Sequence, residues 1–185
     1  MKLGITGLHG TGKTTLLNAL REVNAFKGYA FCDEVTRWVK SLGFDINEAG
    51  GDQTQMLIVM KHIYNLTRND YMITDRTMLD CLVYSRFLRE IDQISQETLD
   101  NVRDIYEKTI NKFDRIFLLK AEFNMEDDGV RSVNPVFRDR ISEIFDEEIA
   151  NSDIDYPLVL LTGTVEERVS QLLNELYTYE SGKQI

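Results

Sequence analysis

Nine residues near the amino terminus, GLHGTGKTT from Gly7 to Thr15, bring three glycines, a lysine and three threonine hydroxyls together between an apolar run and a good helix sequence. Gly7, Gly10, Gly12, Lys13 and Thr14 satisfy the spacing G-x-x-x-x-G-K-[ST], the pattern of a loop that wraps phosphates. Glycine lets the backbone turn its N–H groups toward an anion with no side chain in the way. The helix that follows, KTTLLNALREV, adds the positive end of its dipole. Lys13 is expected to reach the β- and γ-phosphates of a nucleotide and the Thr14 hydroxyl to hold Mg²⁺, with Thr11 and Thr15 completing the loop. His9 reads as a tolerated loop residue, and His62, on a predicted helix, as a packing or surface residue.

A phosphate loop must be positioned by a sheet, and ligands of open α/β sheets bind beyond the carboxyl ends of the strands. Polar residues at those ends are therefore the next candidates. Asp75 ends a predicted strand, YMITD, where a carboxylate supports Mg²⁺, an ion that prefers oxygen ligands; a helix cap is the plainer alternative. Glu34 ends YAFCDE and is placed to accept the proton of an attacking hydroxyl, or else to stabilise the next helix's dipole. Arg37, one turn on, either holds an acceptor phosphate or pairs with Glu34. Gln53 and Gln55 begin a long helix and could read a base or amide edge of the acceptor, or else are solvated helix-start residues. Phosphoryl transfer spreads negative charge over three oxygens, which a fork-shaped cation stabilises. Arg131, in the glycine-containing DDGVR of a lid at about residues 122–134, is the first candidate, with Arg138 and Arg140 supporting it. Thr162 to Thr164, spanning Gly163, would shape a nucleobase pocket through backbone contacts.

The elements that carry these residues alternate. Strands are expected at Lys2–Thr6, Tyr29–Glu34, Tyr71–Asp75, Arg115–Lys120 and Leu158–Thr162. Helices are expected at Gly12–Val23, Val35–Leu42, Asp52–Asn69, Met78–Glu90, Ser95–Lys112, Pro135–Asn151 and Val165–Tyr179. Alternation of this kind implies an α/β fold, a parallel sheet with helices on both faces. Leu99, Val102, Tyr106 and Ile110 line one side of their helix, as an amphipathic element requires. The segments GFDINEAGG (Gly43–Gly51) and EFNMEDDGVRSVN (Glu122–Asn134) read as mobile connections.

A chain of 185 residues with 43% hydrophobic composition fits a single domain over 1–185. Its formal charge of −10 makes a nonspecific hold on DNA or an acidic membrane unfavourable, lowering nucleic acid as a substrate without removing it. Cys32 and Cys81 lie in apolar contexts without metal spacing and read as reduced core residues. With no leader and no long apolar run, the expectation is a cytoplasmic protein; a homodimer is left open. One decoy is NKFD, with Asn111, Lys112 and Asp114, a guanine-reading pattern that here precedes its strand and so sits at the wrong end of the sheet.

The order of phosphate loop, Glu34, the pair Asp75–Arg76 and a DGVR lid resembles the small nucleoside and nucleotide kinases. DRTMLDCLVYS is similar to the corresponding segment of thymidylate kinases, and Glu34 with a strand-end DR pair is similar to deoxynucleoside kinases. The fullest resemblance is to the P-loop family containing the ribosylnicotinamide kinase domain, through Asp75, Arg76, Asp80 and Tyr84, then Asp128–Arg131 with Phe137 and Arg138, then Gly163, Thr164, Glu166, Glu167 and Arg168. That resemblance implies a three-layer fold with strand order 2-3-1-4-5, ATP with Mg²⁺, and Asp75, Arg76 and Arg131 near the phosphates. EVTRW lacks the arginine-proline-glycine pattern of thymidylate kinases. The resulting expectation is ATP-dependent phosphoryl transfer to a nucleoside, nucleotide or related ribosyl compound. Two alternatives stand beside it: a nucleotide-binding regulatory switch, and a phage-type kinase acting on a modified base in DNA.

Overall fold

The computed structural model describes residues 1–120, 134–151 and 158–182. Five strands form one parallel sheet: β1 (Lys2–Gly7), β2 (Ala30–Cys32), β3 (Met72–Asp75), β4 (Arg115–Leu119) and β5 (Leu158–Leu161), in the order β2-β3-β1-β4-β5. The register pairs Ile5 with Asp75 and Gly7 with Leu119, so the phosphate loop and the Asp75–Arg76 pair leave the sheet at one end. The helices are α1 (Lys13–Arg21), α2 (Val35–Ser41), α3 (Asp52–Arg68), α4 (Met78–Glu90), α5 (Gln96–Thr109), α6 (Pro135–Ala150) and α7 (Val165–Gly182).

Parallel strands must be covered on both faces, and successive side chains of a strand point to opposite ones. Ile73 and Phe117 enter a cluster with Leu16, Leu17 and Leu20 of α1 and Leu172 and Leu176 of α7. Their strand neighbours Met72 and Ile116 enter the larger cluster on the other face, with Leu79 and Leu82 of α4, Val102 and Tyr106 of α5, and Ile141 and Ile144 of α6. These two layers hold the strand ends in place.

The expected elements form with ends that match or shift by at most three residues, most visibly β2, which is confined to Ala30–Cys32, and α5, whose last turn tightens into a 3₁₀ turn at Ile110–Lys112. The segment Gly43–Gly51, expected as an open connection, carries a 3₁₀ turn at Asn47–Ala49 and is tied to α3 by the Thr54 hydroxyl donating to the Asp45 carbonyl at 2.9 Å. The decoy motif lies away from the loop: Asp114 accepts from the Lys2 backbone N–H at 2.8 Å and from the Tyr179 hydroxyl at 2.9 Å, at the amino-terminal edge of the sheet.

Candidate active site

The phosphate loop takes the backbone that its glycines permit. Gly7, Gly10 and Gly12 have φ of 130°, 77° and 87°, and a Cβ on Gly7 would lie 2.3 Å from the Leu119 carbonyl oxygen. Any side chain there would have to push β4 away from β1. Thr11 is buried, its hydroxyl donating to the Leu8 carbonyl at 2.8 Å, whereas Thr15 is exposed. Lys13 is buried at the start of α1, its ammonium donating to the Gly7 and Leu8 carbonyls, each at 2.8 Å. Burial, reinforced by Arg76, lowers its pKa to about 8 against the pull of Asp75, Asp80 and Glu34. A cation folded back on its own loop in this way is poised to exchange carbonyls for phosphate oxygens.

Behind the loop, the Thr14 hydroxyl donates to Asp75 Oδ2 at 2.5 Å. Asp75 is 1% exposed, and its Oδ1 is buried with no hydrogen-bond partner. Burial raises its pKa, with Lys13 opposing. A buried carboxylate oxygen left without a partner is costly, and a hard cation satisfies it. Among the described residues no group of three or more His, Cys, Asp or Glu side chains could hold a metal by itself. Thr14 and Asp75 instead offer the sparse oxygen set that suits Mg²⁺ when phosphates supply further ligands.

Arg76 follows in the left-handed region, at φ 78°, its N–H donating to the Ile5 carbonyl at 2.8 Å. A non-glycine residue held there carries strain, and such strain collects at functional sites. The turn brings the guanidinium back over Glu34. Nε and Nη2 both reach Glu34 Oε1 at 3.0 Å, Nη1 reaches Asp80 Oδ1 at 3.3 Å, and the Tyr84 ring lies 5.0 Å beneath. Gly4 makes this possible on β1, because a Cβ there would lie 2.4 Å from Thr77 Cγ2 and block the start of α4. Asp80 closes the same network: its Oδ2 accepts from the Thr6 hydroxyl at 2.6 Å and the Thr77 N–H at 2.8 Å, forming a capping box at α4. All three charges are nearly inaccessible to water, so removing one leaves its partners uncompensated, at a cost of about 3–5 kcal/mol.

Glu34, 7% exposed, is thus part of an ion network as well as the residue entering α2. Burial alone would raise its pKa, but Arg76, Lys13 and Arg37 outweigh it and hold the carboxylate ionised. Arg37 Nε stands 3.3 Å from Glu34 Oε2, the pairing alternative of its two expected roles.

Beside this network lies a partly open cavity lined by α2, α3 and α4, with Thr36, Gln55, His62, Arg76, Asp80 and Tyr84 among its walls. Gln53 is exposed and outside it, because the inward stripe of α3 runs Gln55, Ile58, His62. Gln55 is fixed by the Ser85 hydroxyl, which donates to its Oε1 at 3.2 Å.

His9 is more than a loop filler. It is 3% exposed, stacks on Phe137 of α6 at 5.3 Å between ring centroids, and its Nδ1 lies 3.0 Å from the Tyr84 hydroxyl. Among the arginines, Arg131 falls in 121–133, outside the described residues, as does nearly all of the expected lid. Arg138 stands on α6 with buried Nε and Nη2 atoms that have no hydrogen-bond partner. Arg140 is instead paired with carboxylates, Glu90 at 2.7 Å, Glu143 at 2.8 Å and Glu147 at 3.0 Å. Gly163 has φ 84°, and Thr164 N–H donates to Glu167 at 2.7 Å to start α7. From that helix Arg168, 1% exposed, donates to the Thr11 carbonyl at 2.7 Å, fastening the segment after β5 to the phosphate loop.

With this geometry in view, the sequence matches the AAA domain over residues 2–168, which takes in all five strands and the loop. The chain belongs to the AAA domain family. No curated protein gives a sequence match. Solved structures of similar fold include the deoxyadenosine kinase of M. mycoides with dCMP and dCDP, at TM-score 0.72 and 16% identity over 96% of this chain and 99% of that one. NadR in complex with NR gives 0.70 and 19% over 94% of this chain and 50% of that one. The thymidylate kinase of Candida albicans gives 0.67 and 17% over 97% and 92%. This chain therefore shares the P-loop kinase-like fold with them, in the strand order expected. No helix of the described residues is long and apolar enough to cross a membrane.

Proposed function

We propose that this AAA-domain protein is an ATP-dependent phosphotransferase acting on a small nucleoside-type acceptor. The observation that carries the reading is the adjacency of two half-sites: a phosphate loop backed by Thr14 and Asp75, and a partly open cavity walled by Arg76 and Asp80, with Glu34 held against Arg76. A regulatory switch needs no acceptor cavity, which ranks that alternative second.

The loop amides and Lys13 would grip the β- and γ-phosphates, Lys13 giving up its two carbonyl contacts as they arrive. Thr14 and Asp75 would hold Mg²⁺, which neutralises charge on the phosphate oxygens. In the transfer, a bond forms between the acceptor hydroxyl oxygen and the γ-phosphorus while the bond from that phosphorus to the β–γ bridging oxygen breaks, and ADP leaves. Glu34 orients the hydroxyl and takes its proton late, since its depressed pKa makes it a weak base but a constant acceptor. Arg76 keeps Glu34 in place, and Arg138 and Arg131 would meet charge on the transferring group.

The test is transfer of labelled γ-phosphate to a panel of nucleosides, their 5′-monophosphates and a single-stranded oligonucleotide, with Lys13→Ala as the control. Transfer by the wild type that drops by about a thousandfold in the variant supports the reading. Tight ATP binding with transfer to nothing refutes it.

A further inference from the structure

The inference concerns what the cavity accepts, and it rests on the phosphotransferase reading above. Among the described lining residues, Arg76 and Asp80 carry the charges. Glu34 adds a second carboxylate, so one guanidinium faces two acids, at 3.0 Å and 3.3 Å. The next arginine, Arg37, is turned onto Glu34 as well. A dianionic acceptor phosphate would meet a guanidinium already balanced, with carboxylates on either side of it, in a setting where water does little screening.

The rest of the wall is uncharged, with polar groups at Gln55 and His62 set among apolar ones such as Ile58 and Cys81. Gln55 has its Oε1 fixed by Ser85, so its amide N–H₂ is the group left to present. His62, two helical turns further along the same face of α3, is 4% exposed, and its Nε2 is buried with no partner. It faces Asp80 and Arg76 from α4 and from the turn before it, and burial lowers its pKa to about 4, so the ring is neutral at pH 7. A buried imidazole nitrogen without a partner at a cavity wall is an unmet hydrogen bond, which a ligand can complete. Ile58 lies between these two polar groups and gives an apolar surface for a ring face.

We infer that the acceptor is unphosphorylated, a nucleoside whose free hydroxyl meets Glu34 and Arg76 and whose base edge is read by Gln55 and His62 together. His62 is then a specificity residue.

Calorimetry and steady-state transfer together test this, using deoxyadenosine, deoxycytidine, thymidine and their 5′-monophosphates with Mg·ATP, or with a non-hydrolysable ATP analogue for binding. The expected result is a KM, and a Kd, at least about a hundredfold lower for some nucleoside than for its monophosphate. His62→Phe should raise that nucleoside's KM about tenfold or more with a smaller change in kcat, and His62→Gln should restore part of it. A thermal melt shows that each variant folds. A monophosphate bound more tightly than its nucleoside overturns the inference, as does His62→Phe and His62→Gln both leaving KM in place. Nucleoside binding without any transfer sinks the phosphotransferase reading and leaves the inference about the cavity standing.

Discussion

Replacing His62 by Gln should make the protein less sensitive to mild acid, by an amount the structure sets. The imidazole sits between Asp80, which favours its cation, and Arg76, which opposes it, but burial dominates and takes its pKa from 6.5 to about 4. Below pH 6.5 the denatured chain takes up a proton that the native chain refuses, so stability falls with acid from there and levels off near pH 4. Linkage over this window gives a loss of about 2 kcal/mol between pH 7 and pH 5 from this one group, and about 3 kcal/mol by pH 4. Glutamine keeps a neutral polar side chain at the site and does not titrate. Urea unfolding of both proteins at pH 7, 6 and 5 isolates the effect, because every other carboxylate and histidine is common to them. The wild type should lose about 2 kcal/mol more than His62→Gln over that range. Parallel losses in the two proteins would show that the native ring accepts a proton near its ordinary pKa, and the neutral cavity wall would go with it.

Two further perturbations separate stability from chemistry. Asp75→Asn removes a buried charge but keeps an oxygen for the Thr14 hydroxyl, so its melting temperature without ligand should match or exceed the wild type's, while phosphoryl transfer falls by about a hundredfold or more; a lowered melting temperature with transfer retained would refute the metal-support role. Arg138→Ala should lower kcat by about a hundredfold, whereas Arg140→Ala, which loses only exposed ion pairs with Glu90, Glu143 and Glu147, should stay within about twofold; equal effects in the same transfer assay would refute the division of roles on α6.

What the sequence disclosed and what it withheld divide along the range of the interactions involved. The phosphate loop is a local spacing whose glycine conformations follow from the backbone alone, and α4 has its expected ends because Thr77 and Asp80 form a capping box within four residues. Gln55 was harder to separate from Gln53, since both begin the same helix, yet the stripe of Gln55, Ile58 and His62 at three and four residue steps carried the phase. Glu143 and Glu147, three and seven residues beyond Arg140, likewise signalled ion pairing on that face. No local pattern joins His9 to Tyr84, 75 residues away, or Arg76 to Glu34, 42 away.

That second pairing alters the chemistry assigned to the site. Read alone, a strand-end arginine beside a phosphate loop is a free cation for transferring charge. Read with Glu34 and Asp80 around it, Arg76 is already neutralised, and its closest task is to hold the carboxylate against which a hydroxyl must be set. The left-handed backbone at φ 78° makes sense on the same terms, because turning the side chain back across the strand ends joins Glu34 from β2's end to Asp80 on α4. On the proposed reading, charge for the moving phosphoryl group comes from Lys13, from Arg131 and from Arg138 on α6, a helix that touches the phosphate loop through the stack of Phe137 on His9.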